Sequence, residues 1–177
     1  MKTKTNTHII ILIDVSYSMS LHIHNFLYSL NKFLNELKNK TSNKTNNTYI
    51  TLAQFSTGLS FITEFENIEK REEFLIDEFH ISGMTALYDA ICTTVKKISS
   101  ENNQASNTKL FIISDGEDNS SHMYTKEDTD KLLDEAIKFG NWDVIHCHTD
   151  ISLLKVPSFT YDINNISDIF LNLKLDN

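Results

Sequence analysis

Asp14, Ser16 and Ser18 stand at alternate positions in HIIILIDVSYSMS, residues 8–20. In extended backbone, alternate side chains point the same way. Three oxygen donors therefore face one side of a loop that follows directly on an aliphatic run. Two more segments carry oxygen-bearing side chains at matching places. In SGMTALYDA, Thr85 is expected to open a helix; in ISDGEDNSS, Asp115 ends an apolar run. Two carboxylates and three hydroxyls, with no Cys or His among them, suit a hard divalent cation (Mg2+, Mn2+ or Ca2+) and fit Zn2+ poorly. Hydroxyls are weak ligands, so the two acids leave a cation under-neutralised and able to take one more carboxylate. Of the four glycines, Gly83 and Gly116 fall beside Thr85 and Asp115, where tight turns would aim those side chains. Gly58 and Gly140 suit a turn and a helix stop. The competing explanation is that Ser16, Ser18 and Thr85 cap helix N-termini. Capping accounts for any one of them singly, but not for the whole set at matching strand ends.

The elements that must position these residues can be read from hydrophobic spacing. Ile9–Ile13 is a continuous run suited to a strand buried on both faces. Leu27, Leu30, Leu34 and Leu37 give residues 20–38 a helical stripe. Residues 49–56 and 59–65 read as two strands of an antiparallel hairpin, and 66–79 as a short acidic helix. Leu87, Ile91, Val95 and Ile98 share one side of a helix over 86–98, and 109–115 reads as a buried strand. Thr125 with Asp128 three residues on forms the start of another helix, stopped at Gly140. A strand over 142–149, a brief helix over 151–156, a strand over 158–163 and a closing helix over 165–175 complete the chain. The alternation predicts an α/β fold: a doubly wound, mostly parallel six-stranded sheet with one antiparallel edge strand and helices on both faces, as a single domain over 1–177. The polar loops 39–48 and 99–108 run from helix into strand and belong at the sheet's N-terminal edge. The oxygen-bearing loops belong at the C-terminal edge, where ligands of such sheets bind.

Composition removes several functions. The chain has 177 residues, 40% hydrophobic and 23% charged, with a formal net charge of −8. That charge disfavours nucleic acid and anionic membrane surfaces. No apolar run approaches the roughly 20 residues that cross a bilayer. The opening MKTKTNTHIIILID is basic, but its apolar run is too short for an export signal. Cys92 and Cys147 are then expected to be free buried thiols of a reducing cytosol. His146-Cys147-His148 has the look of a metal motif, yet alternation on a strand sends the cysteine to the other face. His22 and His24, two apart on a helix, cannot share a face.

Together, DVSYS, GMTALYDA and ISDGEDN resemble the von Willebrand factor A domain and its metal-ion-dependent adhesion site. The pattern is Asp-x-Ser-x-Ser after the first strand, a Thr in a Gly-containing loop, and Asp-Gly at the end of the fourth strand. It extends over almost the whole chain, with LSFITEF supplying the family's antiparallel edge strand. The resemblance implies that Ser16 and Ser18 touch Mg2+ (or Mn2+ or Ca2+) directly. Asp14 and Asp115 would hold it largely through water and through hydrogen bonds to the serines, and Thr85 directly or through water. One position stays open for an Asp or Glu of a partner protein. Tyr17 stands where the family often has glycine, which would narrow access; Glu117 and Asp118 are expected as rim charges. The implied function is a cytoplasmic, non-enzymatic, metal-dependent protein–protein interaction module. Its partner would be an acidic residue of another protein, not nucleic acid or membrane, and intracellular members of the family work within larger assemblies. The alternative is a Mg2+-dependent phosphoryl-transfer or hydrolase enzyme using the same cation. Against it, no glycine loop cradles phosphate and no general base stands out. A dehalogenase-type phosphatase would need an acid where Ser16 stands, and a receiver domain a strand-end lysine, whereas Lys155 follows a helix-like stretch.

Overall fold

The computed structural model describes residues 6–41, 47–101, 105–149 and 154–160. Strand β1 (Thr7–Asp14) leads through a 3-10 turn at Tyr17–Leu21 into α1 (Ile23–Thr41). Next come β2 (Thr48–Phe55), β3 (Leu59–Asn67), α2 (Leu87–Ser100), β4 (Asn107–Ile113), α3 (Lys126–Gly140), β5 (Trp142–His148) and β6 (Ser158–Thr160). They form one six-stranded sheet in the order β3-β2-β1-β4-β5-β6. All neighbours pair in parallel except β2 and β3, which are antiparallel.

The expected doubly wound sheet is therefore present, and β1 is its central strand for a legible reason. Every residue from Ile9 to Ile13 is fully buried. Ile9, Ile11 and Ile13 pack with Phe26, Leu30 and Leu34 of α1. Ile10 and Leu12 pack on the other face with Leu87 and Ile91 of α2 and Leu133 of α3. The strand order reverses at β1, which lies between β2 and β4, and the helices that follow β1 and β4 cover opposite faces. The C-terminal ends of β1 and β4 are thus the switch point outside which sheets of this kind bind ligands.

The acidic helix expected over 66–79 is not formed. β3 runs on to Asn67, and only Ile76–Glu78 makes a 3-10 turn. The buried apolar residues here are Ile68, Phe74 and Phe79, a spacing that no single helical face supplies. Asn31 of α1 holds the chain extended instead: its Nδ2 donates to Phe74 O at 2.9 Å and its Oδ1 accepts from Phe74 N–H at 2.8 Å. Arg71 then forks onto both carboxylate oxygens of Glu78, at 2.7 and 2.9 Å. Of the brief helix expected over 151–156, residues 154–156 are bends and not helix. Its first half, the end of the last strand and the closing helix over 165–175 lie outside the described residues. The stop of α3 is Asn141 in left-handed conformation (φ 54°), not Gly140, the last helical residue, where a Cβ would meet the Trp142 ring at 2.8 Å. Among the described residues no helix is long and apolar enough to cross a membrane.

Candidate metal centre

Asp14 ends β1 and is fully buried. Its two carboxylate oxygens are served separately. Ser16 N–H donates to Oδ1 at 2.8 Å, and Ser114 Oγ donates to Oδ2 at 2.8 Å. Thr85 Oγ1 stands 3.5 Å from the same Oδ2. From Ser16 a second chain of contacts runs outward. Its Oγ lies 3.0 Å from Ser18 Oγ, which donates to Asp115 Oδ1 at 2.8 Å. The structure thus brings Asp14, Ser16, Ser18, Thr85 and Asp115 into one hydrogen-bonded cluster at the switch point. The cluster grades from buried Asp14, Ser16 and Thr85, through half-buried Asp115, to exposed Ser18.

Each loop is held by backbone bonds that its sequence permits. Val15 N–H continues the sheet to Phe55 O at 2.7 Å, and Val15 O accepts from Ser82 N–H at 3.0 Å. Tyr17 N–H donates to Gly83 O at 3.3 Å, so the loop after β1 lies directly against the loop before α2. Gly83 has φ +73°, and a Cβ there would stand 2.5 Å from Thr57 Oγ1. This position needs glycine for both conformation and space. Gly116 does not: its φ lies outside the left-handed region and nothing lies within 4 Å of where a Cβ would be. The chain does turn here, with Gly116 N–H 3.3 Å from Ser114 Oγ, but that turn does not require glycine.

Helix capping does not explain the hydroxyls. Ser16 precedes the 3-10 turn without making a side-chain cap bond, and the N-cap of α2 is Ala86, so Thr85 sits ahead of the helix rather than opening it. The first-turn amides of α2 are capped from the loop after β4. Tyr88 N–H donates to Asp118 Oδ1 at 3.3 Å, and Asp89 N–H to Ser121 Oγ at 3.0 Å. Asp118 is therefore a structural cap rather than the rim charge expected of it, whereas Glu117 is exposed. Tyr17 is 69% exposed and leaves most of its side chain to solvent.

Sequence reasoning passed over two residues. Ser114 is fully buried against Asp14; a lone hydroxyl closing the apolar run before Asp115 was its only signal. Asn119 Oδ1 accepts from the Thr85 N–H, and nothing in its spacing pointed there. The histidine pair is where alternation puts it. Cys147 packs in the α1-side core, while the His146 and His148 rings, 5.1 Å apart, lie on the opposite face. Cys92, on α2, contacts Thr129 of α3, so the two cysteines are free and on opposite faces of the sheet.

Electrostatically the cluster is an acid pair. No ion pair between described residues involves Asp14 or Asp115. Burial pushes the Asp14 carboxyl above its ordinary value; the Ser16 and Ser114 hydrogen bonds work against that shift, and the neighbouring charge of Asp115 adds to it. Among the described residues no three His, Cys, Asp or Glu side chains gather as a metal cluster. The donors here are two carboxylates plus neutral hydroxyls, and such an uncompensated oxygen set fits a divalent cation.

Comparison with known proteins bears on the whole domain. No curated protein matches the sequence. Among solved structures, the ArnB paralog VWA2 from Sulfolobus acidocaldarius is 17% identical, with a TM-score of 0.66 over 97% of this chain and 46% of that one. The SpRpn10 VWA domain is 13% identical, with a TM-score of 0.67 over 98% of this chain and 96% of that one. Proximal thread matrix protein 1 from the mussel byssus, with zinc in its MIDAS motif, is 16% identical, with a TM-score of 0.60 over 95% of this chain and 47% of that one. The chain therefore spans about half the length of the Sulfolobus and mussel proteins. A sequence model of the von Willebrand factor type A domain matches residues 8–145. With a match over that much of the sequence, and a fold that superposes on solved examples, the chain belongs to the von Willebrand factor type A domain family.

Proposed function

We propose that this domain is a metal-dependent docking module for an acidic residue of another protein. Family membership supports the coarse part, since von Willebrand factor type A domains typically mediate protein–protein interaction. The finer part is carried by one observation: five oxygen-bearing side chains from three loops meet in a single cluster whose two acids form no ion pair among the described residues.

In this reading Ser16, Ser18 and Thr85 offer hydroxyl oxygens to a divalent cation, while Asp14 and Asp115 supply the negative charge. The bound cation would provide a Lewis-acidic position for a carboxylate. Buried Asp14 orients the Ser16 amide, and Asp115 orients the Ser18 hydroxyl. The graded exposure leaves Ser18 and Asp115 as the side from which a partner approaches. The site is proposed to be non-catalytic. Mg2+ or Mn2+ suits the donor types, but zinc in the mussel relative's motif argues for testing Zn2+ as well. A reducing, cytoplasmic setting is proposed from the two buried thiols on opposite faces of the sheet, too far apart in the fold to pair.

The test is metal binding followed by partner capture. Unsubstituted protein should bind Mg2+ or Mn2+ at about one site per chain and gain thermal stability, since a ligand at about 100 times its Kd adds roughly 2.7 kcal/mol. Asp14→Asn, which keeps an acceptor for Ser16 N–H and removes a buried charge, should lose the metal response while melting no lower than the parent without metal. Capture of a native partner should be lost with EDTA, return with Mg2+ or Mn2+, and be lost again in Ser16→Ala. The partner should carry one Asp or Glu whose change to the amide removes binding. Capture indifferent to chelation and to Ser16→Ala would show that docking runs through another surface.

A further inference from the structure

Asp14 and Asp115 come from adjacent strands, because β1 and β4 pair through Ile13↔Ile113 and fix the spacing of the loops beyond them. Thr85 lies on no strand, although Ser82 N–H and Gly83 O tie the segment before it to Val15 and Tyr17 of the loop after β1. It ends the irregular connection between the edge strand β3 and α2, and only its local hydrogen bonds decide where its hydroxyl stands. On its N-terminal side, Met84 N–H donates to Thr57 Oγ1 at 3.1 Å. On its C-terminal side, Ala86 N–H donates to Ser56 O at 2.8 Å. The N–H and C=O of Thr85 itself go to two successive residues on another loop, and Asn119 takes both. Asn119 Oδ1 accepts from Thr85 N–H at 2.8 Å, and Asn119 N–H donates back to Thr85 O at 2.9 Å, joined by Ser120 N–H at 3.1 Å.

This is a two-way grip in which an asparagine side chain and its own backbone read both polar groups of a foreign residue, as a strand neighbour would. Asn119 lies in the loop that carries Asp115. The same loop is stitched to α2 a second time, by Asp118 and Ser121 at the amides of Tyr88 and Asp89. Asp89 in turn accepts from His122, Met123 and Tyr124 N–H at 2.8, 3.0 and 2.9 Å. We propose that Asn119 is a positioning residue for Thr85, tying it to the Asp115 loop so that the two loops present their oxygens as one unit. The proposal rests on the docking reading above and deepens it: the Thr85 contribution is set by a residue that never reaches the metal. The Asn119 side chain is exposed, so shortening it opens no cavity in the core. Its loss would instead release the Thr85 N–H, leaving Thr85 held on this side only through its carbonyl.

The experiment is a Mn2+ titration of the full chain by calorimetry, with four proteins compared. Asn119→Ala should weaken Mn2+ binding about tenfold, the lower end of what loss of a supporting hydrogen bond does at metal sites. Asn119→Asp keeps the acceptor for Thr85 N–H and should restore affinity to within about twofold at high ionic strength, where an added exposed charge is screened. Ser121→Ala cuts the neighbouring stitch between the same loop and α2 without touching Thr85 or changing charge, and should leave affinity within about twofold of the parent. Equal losses in Asn119→Ala and Ser121→Ala would reduce Asn119 to one stitch among several and overturn the proposal. So would unchanged affinity in Asn119→Ala, or failure of Asn119→Asp to rescue. Parent protein that takes up no Mn2+ would overturn the docking reading along with this one; parent binding that ignores Asn119 overturns this one alone.

Discussion

At the scale of single residues, the site depends on positions whose alternatives are physically excluded. Asp14 has each oxygen committed, to Ser16 N–H and to Ser114 Oγ; truncation to Ala would strand the buried Ser16 N–H where the amide would not, while Ser114 Oγ keeps Gly116 O at 3.2 Å. Gly83 is constrained differently. A side chain there would adopt φ +73° and drive its Cβ to 2.5 Å from Thr57 Oγ1, the atom that receives Met84 N–H. Left-handed backbone costs a non-glycine residue about 1–2 kcal/mol, and the displaced Thr57 adds to that. Gly83→Ala should therefore lower unfolding free energy by about 2 kcal/mol and weaken metal binding through the shifted Thr85. Gly116→Ala, beside the other acid, meets open space and should stay within about 0.5 kcal/mol of the parent. Urea unfolding of the pair decides it: similar costs at both glycines would mean that the turn geometry assigned to Gly83 is not what its loop requires. Scarcity of glycine in the sequence marked both positions, but backbone conformation and the close approach of Thr57 separate them, and neither is written in residue type.

At the scale of elements, what was legible was whatever depends on neighbours in sequence. The start of α3 is an example. Thr125 Oγ1 accepts from Asp128 N–H at 3.2 Å and Asp128 Oδ2 accepts from Thr125 N–H at 2.9 Å, a reciprocal pair recognisable from spacing alone. The start of α2 has no such signal. Ala86 cannot cap, and the partners arrive some thirty positions later in the chain, from Asp118 and Ser121. Contacts of that range left Asp118 looking like a surface charge. The same limit applies to 66–79, whose acidic composition suits a helix. The buried Phe74 and the Asn31 clamp, both long-range, overrule it. The Asp-x-Ser-x-Ser loop was legible as a spacing and Asp115 as the close of an apolar run, both local features, although strand alternation does not place Ser18: β1 ends at Asp14 and Ser18 lies in the 3-10 turn at Tyr17–Leu21. Ser114 and Asn119 were not legible, since their partners are Asp14 and Thr85. If Asp118 is the cap of α2, Asp118→Ala should cost about 1 kcal/mol, as cap removal does. Hydrogen exchange should show the gain in opening confined to the first turn of α2 and the loop after β4. A uniform loss of protection across the sheet would instead make Asp118 part of the global core.

At the scale of the whole molecule, burying polar side chains in the sheet makes stability depend on pH. His8 near the start of β1 is fully buried, its Nε2 2.7 Å from Thr51 Oγ1 and its ring edge-on to Phe65 at 4.9 Å. Thr51 Oγ1 also accepts from Phe65 N–H at 2.9 Å, which fixes the unusual φ of 44° at Phe65. Burial lowers the His8 pKa to about 4, with Glu101 pulling weakly the other way. His146 in β5 is likewise lowered to about 4 by burial, with a further push from His148. A histidine whose folded pKa lies below its unfolded value of about 6.5 holds fewer protons folded than unfolded between those two values. Stability therefore rises with pH across that window, is fully present above pH of about 6.5, and falls on acidification toward about 4. Each such group contributes a slope of up to about 1.4 kcal/mol per pH unit. Asp14, raised by burial, titrates with the opposite sign, so the total slope of the parent is not diagnostic. The difference between parent and variant is, because every other group cancels. His8→Gln retains a polar partner for Thr51 and cannot take up the proton. Between pH 6.5 and 4.5 its unfolding free energy should fall with acidification less steeply than the parent's, by up to about one proton's worth of slope, whatever its stability at neutral pH. Parallel lines for the two proteins would mean that His8 titrates alike folded and unfolded, and that the hydrogen bond to Thr51 accommodates the imidazolium at the end of the sheet remote from the metal loops.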